Sequence, residues 1–147
     1  MLFHASWWFD GFESLLRYAL KINSTKDLDD MPITGKWVFT AAMDVDPDKE
    51  ALFNEVYDQE HVPHLRQVPG VVSVTRAKLD TLRVTMGGET KTVDSQGKPR
   101  YACIVELENP DVLTSAAWAQ AVDAGRWPTQ VRPYTRNRQH TLHQVMK

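Results

Sequence analysis

From Lys36 onward two strand–helix–strand patterns follow one another, and few folds accommodate that order. Trp37-Val38-Phe39-Thr40-Ala41-Ala42-Met43 is β-prone and apolar on both sides of its alternation, as in a strand covered on both faces. Asp46 suits a helix N-cap and Pro47 the first helical position, with Asp48 and Glu50 favourable at the positive end of the helix. Leu52, Phe53, Val56 and Tyr57 recur at helical spacing, and Val68-Pro69-Gly70 ends the unit. Residues 71–78 read as a second strand, with Val72 and Val74 on one face and Ser73, Thr75 and Ala77 on the other.

Residues 82–86 and 89–93 alternate around Gly87-Gly88 and predict a β-hairpin. After a turn-rich loop at 94–99, residues 101–107 form a third main strand. Asn109 or Asp111 starts a second helix that runs through Ala124 and stops at Gly125. Residues 131–133 connect to a final strand over 135–145, which is polar for its place. Without the hairpin the order is β-α-β-β-α-β, the ferredoxin-like α+β arrangement of four strands with two helices on one face.

The chain of 147 residues holds one such domain, residues 36–147, and a distinct extension, residues 1–35. Within the extension Phe12, Leu15, Leu16, Ala19 and Leu20 trace an amphipathic helix, Trp7, Trp8 and Phe9 precede it, and residues 23–30 read as a polar linker. Met31 is an alternative start that opens directly onto the first strand. A chain of this length buries about 68–70% of its unfolded surface and needs no disulfide or metal staple. The single cysteine, Cys103, has no internal partner, and between Ala102 and Ile104 it reads as a packing thiol in a buried strand. The formal net charge of −2 offers no basic stripe for nucleic acid and no polybasic patch for a membrane. No apolar run approaches the about 18 residues of a membrane span. The N-terminus lacks a basic leader, with Asp10 and Glu13 interrupting its apolar stretch, so a cytoplasmic protein is expected.

The chemistry concentrates in Tyr57-Asp58-Gln59-Glu60-His61-Val62-Pro63-His64. On a continuous helix Tyr57, His61 and His64 share one face. Pro63 removes a backbone hydrogen bond at a cost of about 3 kcal/mol, which predicts a kink or break near Gln59–Glu60 that tilts His61 inward. A neutral imidazole beside a phenol can move a proton on a carbonyl or enol substrate. The plainer alternative is a half-buried helix face with its hydrogen bonds satisfied.

His61-x-x-His64 also has metal-ligand spacing, with His140 and His143 at the same interval. Residues three apart on a strand point to opposite faces, so no metal site is expected. The sequence has no HExxH, no CxxC, no phosphate-cradling glycine loop and no serine elbow, and no cofactor is expected. Arg136 and Arg138 on the final strand, with Arg76 on the second, need partners. They form salt bridges between subunits, or line a polar pocket with Asn137 and hold an anionic group. Trp118 reads as an anchor of the second helix, and Trp127, in a loop before Pro128, as core or as the closing wall of a pocket. The apolarity of Trp37, Phe39, Met43, Tyr101 and Val105 predicts a sheet face, opposite the helices, that a second copy of the chain covers by two-fold symmetry.

Tyr57-x-x-Glu60-His61-Val62-Pro63 and Val68-Pro69-Gly70-Val71, set between an aromatic strand and a second strand–helix–strand half, resemble the EthD-like dimeric α+β barrel proteins over about residues 36–145. The resemblance implies two ferredoxin-like subunits joined sheet to sheet, each with a cleft between sheet and helices. Members include isomerases, lyases, cyclases, monooxygenases and haem enzymes. The position of His61 is the one the resemblance implies to be catalytic, by likeness to cyclases with a His–Tyr pair. The hairpin over 82–93 and the N-terminal helix depart from the short members. Three functions stay open. The first is a cofactor-independent lyase, isomerase or cyclase acting on a carbonyl-bearing or aromatic metabolite. In it His61 and Tyr57 are catalytic, and His64, Arg76, Trp127, Asn137 and Arg138 contact substrate. The second is a non-catalytic ligand-binding or accessory protein of a catabolic pathway. The third is a haem- or metal-dependent enzyme.

Overall fold

The computed structural model describes residues 33–146; the helix expected over residues 12–20 and the polar linker after it lie outside the described residues. Strands β1 (Trp37–Val45), β2 (Val71–Lys78), β5 (Tyr101–Leu107) and β6 (Thr135–Gln144) form one antiparallel sheet in the order β2-β5-β1-β6. Strands β3 (Leu82–Met86) and β4 (Glu89–Val93) pair only with each other, around Gly87 and Gly88 at φ 63° and 83°. Helical segments cross over between β1 and β2 and between β5 and β6. The fold is therefore ferredoxin-like, βαββαβ, with a hairpin inserted between its second and third main strands.

The first crossover begins at Pro47 with a 3₁₀ turn and continues as α1 (Glu50–Val56), a π-helical turn (Tyr57–His61) and α2 (Val62–Arg66). The kink or break expected near Gln59–Glu60 takes the form of a π-helical turn at those residues, without a break in the helix. One residue is added to the turn, and the Val62 N–H donates to the Tyr57 carbonyl, so the helix carries Pro63 without a gap. Asp46 makes no side-chain cap; its carboxylate pairs with Arg136 at 3.0 Å. In the second crossover Asn109 caps a 3₁₀ turn, Pro110–Thr114, and α3 (Ala116–Val122) starts only at Ser115, whose hydroxyl accepts from the Trp118 N–H at 3.1 Å. A second π-helical turn, Trp127–Val131, and a short 3₁₀ turn then lead into β6.

The core lies between the sheet and these helical segments. Tyr101, Cys103, Val105 and Leu107 of β5 are buried, while Ala102, Ile104 and Glu106 between them are half-buried. The buried set meets Phe53 and Val56 of α1, both fully buried, and Leu65 of α2. Registry places Phe39 opposite Val105, Ala41 opposite Cys103 and Met43 opposite Tyr101. Trp37, Phe39, Met43, Tyr101 and Val105 therefore face the helices, not the open side where they were expected. The open face is made by Val38, Thr40, Ala42, Ala102, Ile104, Glu106, Ser73 and Thr75, a mixed surface rather than an apolar one. Val72 also departs from expectation: a bulge between Val71 and Ser73 turns it outward while Val74 stays buried.

Candidate functional site

The two π-helical turns meet over the centre of the sheet, and their aromatic side chains form one cluster. His61 is 5% exposed, and its ring lies flat on Trp127, with centroids 4.4 Å apart and planes 20° apart. Tyr57 packs edge-on against both, 5.0 Å from His61 and 4.8 Å from Trp127, and Phe53 closes the cluster from beneath. A carboxylate holds the turns together. Glu60 accepts from the backbone N–H of Arg126 at 2.9 Å and from its Nε at 2.7 Å, and Glu55 accepts from Nη2 at 3.0 Å. Gly125, at φ +65°, brings the chain against Glu60; a Cβ there would collide with the carboxylate. Trp127, two residues on, is thereby set over His61.

Beside this cluster lies a cavity of about 230 Å³. Its floor is Phe39, Ala41 and Met43 of β1 with Cys103 and Val105 of β5. Tyr57, His61 and Leu65 wall one side, Trp118, Val122 and Trp127 the other, and Arg132, Arg138 and His140 the polar end. A cavity of about 150 Å³ admits a benzene molecule, so this one has room for a single substituted ring.

Among the described residues the buried imidazole is not fully satisfied. Its Nδ1 is sealed and has no hydrogen-bond partner. Burial pushes the His61 pKa down to about 4, and the Arg132 and His64 charges push in the same direction. His61 is therefore neutral at pH 7. Burial also pushes the Tyr57 phenol far up, beside Cys103, and raises the Cys103 thiol to about 11, so both keep their protons. Cys103 is buried as its neighbours predicted, and it also forms part of the cavity floor.

The other residues expected at the site divide. Trp127 and Arg138 line the cavity; His64, Arg76 and Asn137 do not. The added residue in the π turn keeps Tyr57 and His61 in contact but rotates His64 away, onto a separate groove between α2 and α3 with Gln67 and Gln120. Arg76 is held inside the subunit by Asp58 at 2.6 Å and Asn54 at 2.7 Å, its guanidinium 4.6 Å from the centroid of the Tyr57 ring. Asn137, at φ 48°, bonds Asp44 at 2.9 Å and the Gly97 carbonyl at 3.2 Å, away from the cavity. It is the extra residue of a bulge opposite Ala42–Asp44. That bulge changes the alternation of β6, so Arg136 lies on the open face, opposite Asp44, while Arg138 and His140 turn into the cavity.

Arg132 and His140 were not anticipated at the site. Arg132 lies in a short connector with no periodic pattern, and His140 was weighed only as a metal ligand. His140 packs edge-on against Phe39, 5.9 Å away, and Phe39 against Trp118 at 5.8 Å. Among the described residues no three His, Cys, Asp or Glu side chains converge as metal ligands. Also among the described residues, no helix is long and apolar enough to cross a membrane.

Strand order, antiparallel registry and an aromatic cleft under the helices define a ferredoxin-like α+β protein with a small-molecule-sized cavity. No protein-family model matches the chain, and no curated protein matches it. Among solved structures the chain is similar to SnoaB, a cofactor-independent oxygenase from Streptomyces nogalater, in a single-residue mutant. Identity is 16%, the TM-score is 0.45, and 76% of this chain and 93% of that one are covered.

Proposed function

We propose that the cavity binds a small carbonyl-bearing or aromatic metabolite and that neutral His61 moves a proton on it without a cofactor. The observation that carries this reading is the His61 ring itself, held neutral among Tyr57 and Trp127 and lining the cavity. In the proposed step the imidazole takes a proton from the carbon next to a carbonyl. The C–H electron pair becomes a C–C double bond, and the carbonyl oxygen takes the negative charge. The Tyr57 hydroxyl, kept protonated by burial, is the neutral donor available to that oxygen. Return of the proton to another carbon isomerises the substrate. Loss of a group from the adjoining carbon makes the reaction a lyase. Attack of the enolate carbon on a second carbonyl closes a ring, and the proton returns to the new alkoxide.

A second reading, ligand binding without turnover, is favoured by the low basicity of His61, since an imidazole with a pKa near 4 pulls weakly on a carbon acid. His61→Gln separates the two. In the catalytic reading it abolishes turnover of a panel of cyclic ketones and phenols while the thermal transition persists; in the binding reading wild type turns over none and the variant weakens saturable binding alone.

The proposal includes a homodimer through the open sheet face, where half-buried Val38, Ala42, Ala102 and Ile104 lie among threonines. An obligate interface of this kind buries about 2,000 Å² or more in total. Light scattering at micromolar concentration tests it, and a monomer there rejects it.

A further inference from the structure

Arg138 is held unlike Arg132, Arg76 and Arg126. Its Nε donates to Thr135 Oγ1 at 3.0 Å, and its Nη2 donates to the same hydroxyl at 2.6 Å and to the Arg132 carbonyl at 2.9 Å. These bonds hold one edge of the guanidinium through neutral acceptors and leave Nη1 without a partner among the described residues. Arg132 is paired with Asp123 at 2.6 Å, Arg76 with Asp58 and Arg126 with Glu60 and Glu55. Among the described residues no carboxylate pairs with Arg138. It stands, itself exposed, at the open end of an aromatic cavity as an oriented positive charge with no acid partner among the described residues.

We infer that the ligand is a flat aromatic acid, its ring between Phe39, Trp118 and Trp127 and its carboxylate or equivalent planar anion on Arg138. The inference rests on the reading that the cavity beside His61 is the binding site, and it names the class of molecule that fits there. Arg138 supplies a charge-assisted donor that no acid among the described residues occupies. His140, on the same side of β6, adds a second polar group at that end. An anion bound beside His61 also offsets the positive charge of Arg132, so ligand binding draws the imidazole pKa upward.

Benzoate and its neutral isostere benzamide are the probes, titrated into the full chain and followed by Trp fluorescence and by the His61 imidazole resonances. The expected result is that benzoate binds at least about tenfold more tightly than benzamide. In Arg138→Gln the gap closes. In Arg136→Gln, two residues away on the open face, it persists. Equal or tighter binding of benzamide, or a gap that survives Arg138→Gln, overturns the inference; if benzamide still moves the His61 resonances, the cavity reading stands without it. A benzoate preference that leaves those resonances unmoved keeps the anion site and overturns the reading that His61 meets the ligand. Binding of neither probe overturns both.

Discussion

The His61 imidazole lies flat on the Trp127 indole, centroids 4.4 Å apart, although the two residues come from opposite halves of the chain. The contact joins the two crossovers at one point and gives His61 its desolvated setting. Trp127 is 5% exposed and also touches Tyr57 and Phe53, so Trp127→Ala removes packing from the whole cluster. The expected loss of stability is about 3–5 kcal/mol in a urea titration. Trp127→Phe is expected to cost less and to let the His61 pKa rise toward its ordinary value, which NMR titration of the imidazole reads directly.

Glu60 sets that contact without touching the cavity. Hydrogen bonds from the Arg126 backbone and side chain hold its carboxyl below the usual carboxylate range. Its stabilisation is present above the unfolded pKa and is lost as pH falls through the folded one. Glu60→Gln is expected to loosen Trp127 and raise the His61 pKa while the sheet stays intact, seen as a red-shifted Trp emission with an unchanged far-UV spectrum. Gly125→Ala should reach the same state more severely, because φ +65° costs about 1–2 kcal/mol for an L residue before the collision with Glu60 is counted.

Acid titration carries a sign that follows from the depressed His61 pKa. The unfolded imidazole binds its proton near pH ~6.5 and the folded one only near about 4. Between these values the unfolded state holds more protons, so stability falls as pH is lowered across that window and levels off below it. The contribution lost is about 3 kcal/mol at most. Glu50 and Glu106, both held low in the fold, add their own acid loss, so the measurement is the difference between wild type and His61→Gln. The wild-type curve should be the steeper above about pH 4. In the catalytic reading kcat/KM, which reports the ligand-free imidazole, should likewise persist down to about pH 4 rather than fail near 6.

Asn137 decides which arginine faces the cavity. It adopts φ 48°, a region open to Asn and Gly but strained for β-branched residues. Asn137→Val is expected to destabilise the protein by about 1–2 kcal/mol and to weaken binding of any anionic ligand by displacing Arg138. Asn137→Gly should retain the bulge and nearly all of that binding. If Asn137→Val binds as wild type does, the bulge is not what aims Arg138.

Much of the molecule was legible from local pattern. The period-2 and period-3.6 runs set the order of strands and helices, Gly87-Gly88 marked the hairpin, and the apolar neighbours of Cys103 marked its burial. The four-residue spacing of Tyr57 and His61 placed them together, because side chains one turn apart meet whether the turn is α or wider. Other features depended on contacts between distant segments. Trp37–Met43 is apolar at odd and even positions alike, so alternation separated two faces without saying which one the helices cover. Pro63 announced that a backbone bond is lost, but whether the chain breaks or widens into a π turn depends on what packs above it; here Trp127 and the Glu60–Arg126 link hold the helix together and His64 swings off the site. The final strand shows the same limit. Arg136 and Arg138 share a parity in the sequence, yet the bulge at Asn137, created by registry against Ala42–Asp44, sends them to opposite faces. A strand's own residues specify its alternation; only its pairing with a neighbour specifies where that alternation slips.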